Sequence, residues 1–299
     1  MKNCFFILIG LMFFFGCRKV NQNPTTIEDN LNLENTSYFI FDTYPTANPK
    51  PVEVYFHIPV DIDKSNAPIL FIFPGMNRNA EEYRNTWIAL ANQFQFMVFS
   101  LEFSNQFFPN SNSYQEGFIF DENGNSNDEN DWTFSFIEPI FDKIKESLNY
   151  QKNSYDLFGH SGGAQFVHRF VFFKPFSRLN RAISANAGWY TIPNESIDYP
   201  YGILNTTLNN NDLENFFNQK LIIHIGKNDN NPNDPSLRKT PEANAQGLNR
   251  FERAFYFFSK SDSICNSKNY TYNWEIHQVE NVGHNHNSMA NYAATFLYQ

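Results

Sequence analysis

The chain has 299 residues, of which 41% are hydrophobic and 18% aromatic, and 34 of them are phenylalanine. This apolar content is enough for one sizeable core, so disorder is excluded for the bulk of the chain. The formal charge of −9 comes with no long run of Lys or Arg, which argues against a nucleic-acid partner because phosphate contacts need clustered cations.

The first 16 residues are predicted to be a signal peptide. Lys2 precedes an apolar run at 5–15, which is too short to cross a bilayer as a helix. Residues 14–17 (Phe-Phe-Gly-Cys) resemble a bacterial lipobox, although aromatic side chains stand where Leu and a small residue are usual. The resemblance implies an exported cell-envelope lipoprotein, periplasmic or at the cell surface, attached to the membrane only through a lipidated Cys17. An ordinary cleaved signal peptide is the alternative.

Residues 17–36 are polar and lack apolar periodicity, so we predict a flexible tether before a single domain at 37–299. The domain contains one cysteine, Cys265, which excludes an internal disulfide and a cysteine-based zinc site. The acidic run at 121–131 does not fit the register of a calcium-binding loop, so we expect no metal and no other cofactor.

The domain alternates strand and helix patterns. Prolines between the first two β-rich runs favour a hairpin at a sheet edge. The continuous apolar run at 69–73 is typical of a strand buried on both faces of a parallel sheet. We predict strands at 38–41, 52–58, 69–73, 97–101, 155–158, 182–185, 221–225 and 272–279, and helices at 80–93, 132–148, 162–173, 250–258 and 288–298.

This alternation predicts an α/β fold, with a mostly parallel central sheet and helices on both faces. In such sheets the binding sites lie beyond the carboxyl ends of the strands. The loops that follow strands therefore hold the candidate functional residues, and the long insertions at 102–131 and 191–219 are candidate lids.

The segment Gly159-His-Ser-Gly-Gly163 directly follows the predicted strand at 155–158 and begins a helix. This is the setting of a G-x-S-x-G nucleophile elbow, in which a strained turn projects the serine hydroxyl and the glycines avoid the neighbouring strand and helix. The chain here resembles the α/β-hydrolase superfamily over essentially residues 38–299. The resemblance implies the α/β-hydrolase fold, with Ser161 as nucleophile and an acid and a base following it in the chain.

The resemblance places the acid just beyond the strand at 221–225, where Asp229 follows Gly226. Asp229 would hold the imidazole of the base in one tautomer and stabilise its protonated form. Asp234 lies in the same Asn- and Asp-rich loop and is the competing candidate.

The base is implied in the loop after the final strand, and His284 directly follows Gly283 there. His286 is its rival. We expect His168 to be packed on a helix and His224 to be a hydrogen-bonded core residue.

Two main-chain N–H groups are implied as oxyanion donors: that of Gly162 at the start of a helix, and that of Met76 in the loop after the strand at 69–73. The loop resembles the family's His-Gly segment, with Pro74 in place of His. Trp189 and Tyr190 follow another predicted strand and are candidate substrate contacts.

The oxyanion loop and the elbow look most like those of secreted esterases of the polyhydroxyalkanoate-depolymerase and feruloyl-esterase branch. The likeness implies a serine hydrolase that cleaves a small-molecule or polymer ester through an acyl-enzyme. Peptidase activity on the same three residues is one alternative. A surface-binding lipoprotein that has the fold without turnover is another.

Overall fold

The computed structural model describes residues 31–44 and 49–299, which contain an eight-stranded sheet. Its strands are β1 (Thr36–Phe41), β2 (Val52–His57), β3 (Ile69–Phe73), β4 (Met97–Glu102), β5 (Tyr155–His160), β6 (Leu179–Ala185), β7 (Leu221–Gly226) and β8 (Glu275–Val279). The helices are α1 (Ala80–Phe94), α2 (Ile137–Leu148), α3 (Gly162–Phe173), α4 (Asn210–Asn218), α5 (Pro241–Gln246), α6 (Arg250–Ser267) and α7 (His286–Tyr298).

The strands lie in the order β1-β2-β4-β3-β5-β6-β7-β8. The first two form the predicted antiparallel edge hairpin, and β2 also runs antiparallel to β4. Every other neighbouring pair is parallel. The mostly parallel α/β sheet predicted from the alternating pattern is thus confirmed.

Helices cover both faces of the sheet. In β3, Phe71 faces the apolar cluster that includes side chains of α2, α3 and α6, whereas Leu70 and Ile72 face the cluster formed with α1 and α7. Successive strand side chains point to opposite faces, so a strand covered on both sides must be apolar throughout. This is why the sequence of β3 reads as an unbroken apolar run.

The predicted tether is wrong at its C-terminal end. Leu31 and Leu33 are buried in the main apolar cluster, and Asn35 accepts a main-chain hydrogen bond from Ile58. Residues 31–36 therefore belong to the folded domain, because burial of two leucines offsets the cost of ordering the polar residues between them. The predicted signal peptide, Cys17 and the rest of the tether lie outside the described residues.

Two helices were not predicted from apolar periodicity, but each carries a local capping signal. Asn209 and Asp212 form a reciprocal capping box at the start of α4. Thr240 caps α5, and Pro241 occupies its first turn. The predicted helix at 132–148 begins only at Ile137, after short 3₁₀ turns at Glu129–Asp131 and Thr133–Phe136. Within residues 31–44 and 49–299 no helix combines the length and apolar character needed to cross a bilayer.

The carboxyl ends of β3, β5, β6, β7 and β8 meet at one edge of the sheet, since these strands are parallel. Five loops leave this edge side by side, and each carries one or more of the residues described below.

Candidate active site

Ser161 occupies the turn between β5 and α3 with φ 57° and ψ −113°, a conformation that L-residues rarely adopt. Glycines make this turn possible. A Cβ on Gly159 would lie 2.1 Å from the carbonyl oxygen of Gly163, and a Cβ on Gly163 would lie 1.9 Å from the carbonyl oxygen of Phe73. The elbow therefore packs directly against β3, and the Ser161 hydroxyl projects beyond the sheet edge.

His284 lies in the loop between β8 and α7 and faces this hydroxyl. Its Nε2 is 3.0 Å from Ser161 Oγ, and its Nδ1 is 2.7 Å from Asp229 Oδ2. Because ionised Asp229 can only accept, Nδ1 carries the proton, which leaves Nε2 free to accept from the Ser161 hydroxyl. Hydroxyl, imidazole and carboxylate thus form one hydrogen-bonded row.

Asp229 is almost completely buried, and Arg250 donates to its second carboxylate oxygen over 3.2 Å. The rival Asp234 contacts the same guanidinium nitrogen, with its Oδ2 3.3 Å from Arg250 Nη1. Burial acts to raise the pKa of Asp234, but hydrogen bonds from Ser236 and Arg250 outweigh it and lower this pKa to about 2. Asp229 therefore contacts both His284 and Arg250, whereas the carboxylate of Asp234 is bonded to Arg250 and Ser236.

The rival His286 is turned away from Ser161. Its Nε2 is 3.1 Å from Thr86 Oγ1, and its ring stacks on Tyr83 at 4.4 Å. His160 packs beside His284, with the two ring centres 4.7 Å apart. Burial, followed by the neighbouring His284, holds the pKa of His160 well below its usual range, so His160 is neutral at pH 7.

His168 and His224 are both core residues. His168 accepts from the main-chain N–H of Thr191, and its other ring nitrogen is 3.0 Å from the carbonyl oxygen of Ala164. His224 is buried as predicted. Burial lowers the pKa of His224 to about 4, which keeps it uncharged.

Asn186 was not predicted as a site residue. It connects the loop that carries Asp229 to the loop that carries His284. Its side chain donates to the carbonyl of Gly283 and accepts from the N–H of Gly226, both over 2.9 Å. The side chain has no exposed surface. Its position directly after β6 could have identified it in the sequence, because polar residues at the carboxyl ends of parallel strands lie together at one edge of the sheet.

The predicted oxyanion donors lie next to each other. The main-chain nitrogen of Met76 would be 3.1 Å from a Cβ built on Gly162, so both N–H groups border one small space beside Ser161. Buried Tyr114 holds the Met76 loop in place, since its hydroxyl donates to the carbonyl of Pro74 over 2.7 Å. No group among the described residues accepts a hydrogen bond from the Met76 N–H.

A cavity of about 310 Å³ opens next to Ser161. It is lined by Met76, Ser111, Gln115, Gln165, Gly188, Trp189, Ser236, Leu237, Arg238 and Arg250. The indole of Trp189 lies between two guanidinium groups, 4.3 Å from Arg169 and 4.6 Å from Arg238. Arg238 remains partly exposed at the mouth and pairs loosely, at 3.7 Å, with Glu116.

Tyr190 does not contact this cavity, so its predicted role as a substrate contact is wrong. Its side chain is completely buried, and its ring stacks on Phe257 at 4.4 Å. Trp189 and Tyr190 are consecutive, and the chain turns one ring towards the cavity and the other into the core. Within the described part of the chain, no group of three or more His, Cys, Asp or Glu side chains is placed to hold a metal ion.

Solved structures resemble this fold and cover most of the chain. Poly(aspartic acid) hydrolase-1 from Sphingomonas sp. KT-1 is 34% identical, with a TM-score of 0.85 over 89% of this chain and 99% of that protein. A poly(3-hydroxybutyrate) depolymerase from Bordetella parapertussis has the same TM-score at 24% identity, over 89% of this chain and 90% of that one. An S-formylglutathione hydrolase from Agrobacterium tumefaciens is 12% identical, with a TM-score of 0.55 over 91% and 97% of the two chains. Neither a protein-family model nor a curated protein sequence matches the chain.

Proposed function

Because the chain belongs to the α/β-hydrolase superfamily and is a hydrolase, we propose that it cleaves carboxylic esters through an acyl-enzyme formed on Ser161. One observation carries this proposal: Ser161, His284 and Asp229 form a continuous hydrogen-bonded row at the mouth of a cavity. The substrate is a small-molecule or polymer ester whose acyl carbon reaches the Ser161 hydroxyl.

In the acylation half, Ser161 Oγ bonds to the carbonyl carbon while His284 Nε2 takes the hydroxyl proton. The carbonyl oxygen becomes an oxyanion and accepts hydrogen bonds from the N–H groups of Met76 and Gly162. The bond to the leaving alcohol then breaks, and His284 gives its proton to the alcohol oxygen. Asp229 stabilises the transient imidazolium and keeps its ring oriented.

In the deacylation half, water attacks the acyl carbon while His284 takes one of its protons. The second tetrahedral intermediate collapses, the bond to Ser161 Oγ breaks, and His284 returns the proton to that oxygen. The carboxylic acid leaves and the resting enzyme is restored. His160 is held neutral beside the base, so it adds no positive charge that would oppose protonation of His284.

The test combines a fluorophosphonate probe with a series of nitrophenyl acyl esters of increasing chain length. We expect wild type to be labelled and to hydrolyse the esters, whereas Ser161→Ala is neither labelled nor active. His284→Gln and His286→Gln form a matched pair, of which only the first abolishes turnover. A folded wild type that resists labelling would reject the proposal in favour of a surface-binding protein without turnover.

A second candidate is hydrolysis of amide bonds in an acidic polymer, and the specific observation that favours it is Arg238. This partly exposed cation packs against the ring of Trp189 in the cavity that contains Ser161. A guanidinium pairs well with a carboxylate, and the relative with 34% identity is a poly(aspartic acid) hydrolase. Incubation with poly(aspartic acid) and with poly(3-hydroxybutyrate), followed by size-exclusion chromatography, separates the two candidates.

We also propose that the mature protein is an exported lipoprotein acylated on Cys17. The support is the short apolar run at 5–15 followed by Gly16-Cys17. Expressed from its full-length gene in a bacterium, wild type should partition into the detergent phase of Triton X-114, and Cys17→Ser into the aqueous phase. A wild type that stays aqueous after cleavage of its leader would indicate an ordinary signal peptide.

A further inference from the structure

We propose that the side-chain amide of Gln115 is a third oxyanion donor, which acts together with the main-chain N–H groups of Met76 and Gly162. The proposal rests on the proposed function, since it assigns a role in the same acyl transfer. Gln115 lies in the long insertion that follows β4.

Gln115 lies next to the two residues whose main-chain N–H groups are assigned to the oxyanion. A Cβ built on Gly162 would lie 2.6 Å from Gln115 Nε2 and 3.1 Å from the Met76 nitrogen. One point beside the Gly162 main chain is therefore within hydrogen-bonding distance of both nitrogens. A side chain at position 162 would displace the Gln115 amide from this point.

The amide of Gln115 has no partner of its own. The residue is only 3% exposed, and its side chain makes no hydrogen bond to any other described residue. Buried polar side chains are nearly always paired, so an unpaired amide at the wall of a cavity is available to a ligand. The Met76 nitrogen is its neighbour across the point beside Gly162, so an oxygen placed there can accept from both groups.

Hydrogen bonds anchor the main chain from which the Gln115 side chain extends. The preceding residue, Tyr114, is bonded to the carbonyl of Pro74 in the Met76 loop. The fully buried Arg169 donates to the main-chain carbonyl of Gln115 over 2.9 Å and to that of Gln165 over 3.2 Å. An amide on an anchored main chain needs little reorganisation when charge develops on the substrate oxygen.

We expect the Gln115 amide to stabilise the transition state more than the bound substrate. A carbonyl oxygen has two lone pairs and is satisfied by Met76 and Gly162, whereas an oxyanion has a third lone pair that Gln115 can occupy. An interaction made only when the oxyanion forms raises kcat and leaves KM nearly unchanged.

The test is Gln115→Met, which keeps the length of the side chain and removes its N–H, with Gln93→Met on the exposed side of α1 as the matched control. We expect kcat for a nitrophenyl ester to fall by about 10- to 100-fold in Gln115→Met, with KM changed by less than about twofold. The rate of fluorophosphonate labelling should fall by a similar factor, because the phosphonylation transition state places charge on the same oxygen. Gln93→Met should match wild type in both measurements.

Gln115→Glu is the second variant, and it replaces Gln115→Met in the kinetic test if Gln115→Met unfolds at a lower temperature than wild type. A carboxylate of the same shape in this position repels the oxyanion, so its loss of kcat should be at least as large. Unchanged kcat in either folded variant, or a rise in KM alone, would overturn the proposal and leave Gln115 as a wall of the cavity. A wild type that is neither labelled nor active would instead reject the proposed function itself.

Discussion

The side-chain amide of Asn186 donates a hydrogen bond to the carbonyl of Gly283, the residue directly before His284. The same amide accepts from Gly226, at the start of the loop that carries Asp229. Asn186, at the carboxyl end of β6, thus holds the loop that carries Asp229 at a fixed distance from the loop that carries His284. Asn186 is a positioning residue, since it contacts neither Ser161 nor the cavity.

Asn186→Ala should lower kcat by about 10- to 100-fold, because small displacements of catalytic groups are costly. KM for the ester should stay nearly unchanged, because Asn186 does not line the cavity. Destabilisation alone would lower the yield of folded protein without lowering kcat of the folded fraction. An unchanged kcat would show that the two loops hold their places without Asn186.

Asp229→Asn should cost about 10⁴-fold in kcat, because an amide can donate to Nδ1 and thereby stabilise the wrong imidazole tautomer. Asp234→Asn is the matched control and should cost less than about tenfold, since the Asp234 side chain bonds to Arg250 and Ser236 and, within residues 31–44 and 49–299, makes no hydrogen bond to His284. Ester turnover by the two purified variants measures both effects. Equal losses would mean that Arg250 and both carboxylates act as one unit.

Gly163→Ala should destabilise the protein by more than about 3 kcal/mol, because the new methyl group would lie 1.9 Å from the main-chain oxygen of Phe73. Gly188→Ala is the control, since the nearest atom to its new methyl group is the side-chain nitrogen of Gln165 at 3.2 Å. Urea unfolding at pH 7 compares the two free energies of unfolding. Similar stabilities would indicate that the elbow and β3 can separate without cost.

The buried His224 should make the protein less stable in acid. Its pKa is about 4 in the folded state, lowered first by burial and then by His277, against a reference value of 6.5. The unfolded chain therefore binds more protons below pH 6.5, and the free energy of unfolding falls as the pH decreases towards 4, by roughly 3 kcal/mol for this residue. His160 and His168, whose pKa values are lowered by burial, act in the same direction.

His224→Leu should flatten this dependence, whereas His277→Leu on the same face should keep most of it. Urea unfolding at pH 7.0 and pH 4.5 provides the measurement. If His224→Leu loses stability between the two pH values as steeply as wild type, other groups are responsible for the acid sensitivity.

Arg238→Gln should raise KM for a nitrophenyl ester that carries a free carboxylate on its acyl chain by about tenfold, because a charged hydrogen bond is lost. For the neutral ester of equal length, Arg238→Gln should have the same KM and kcat as wild type. Arg238→Lys keeps the charge and should restore part of the difference. Equal effects on both esters would show that Arg238 supports Trp189 and does not recognise an anion.

Local pattern was sufficient for the elements nearest the site. The apolar run of β3 and the strand–turn–helix around Ser161 are contiguous in the chain, so their steric requirements can be deduced from neighbouring residues. The same reasoning missed α4 and α5, whose capping residues are short-range signals that apolar periodicity does not include. It also assigned Leu31 and Leu33 to a tether, because two leucines among polar residues have no period.

The amino-acid sequence alone determined the alternation of strands and helices, the order of the candidate nucleophile, acid and base, and the strained turn at Ser161. Only the tertiary structure decided that His284 and not His286 faces Ser161, that Tyr190 lies inside the core, and that the amides of Asn186 and Gln115 reach the site. The physical reason is that backbone conformation depends on adjacent residues, whereas the direction of a loop side chain depends on distant segments packed around it. Those segments meet here because parallel strands bring their carboxyl ends to one edge.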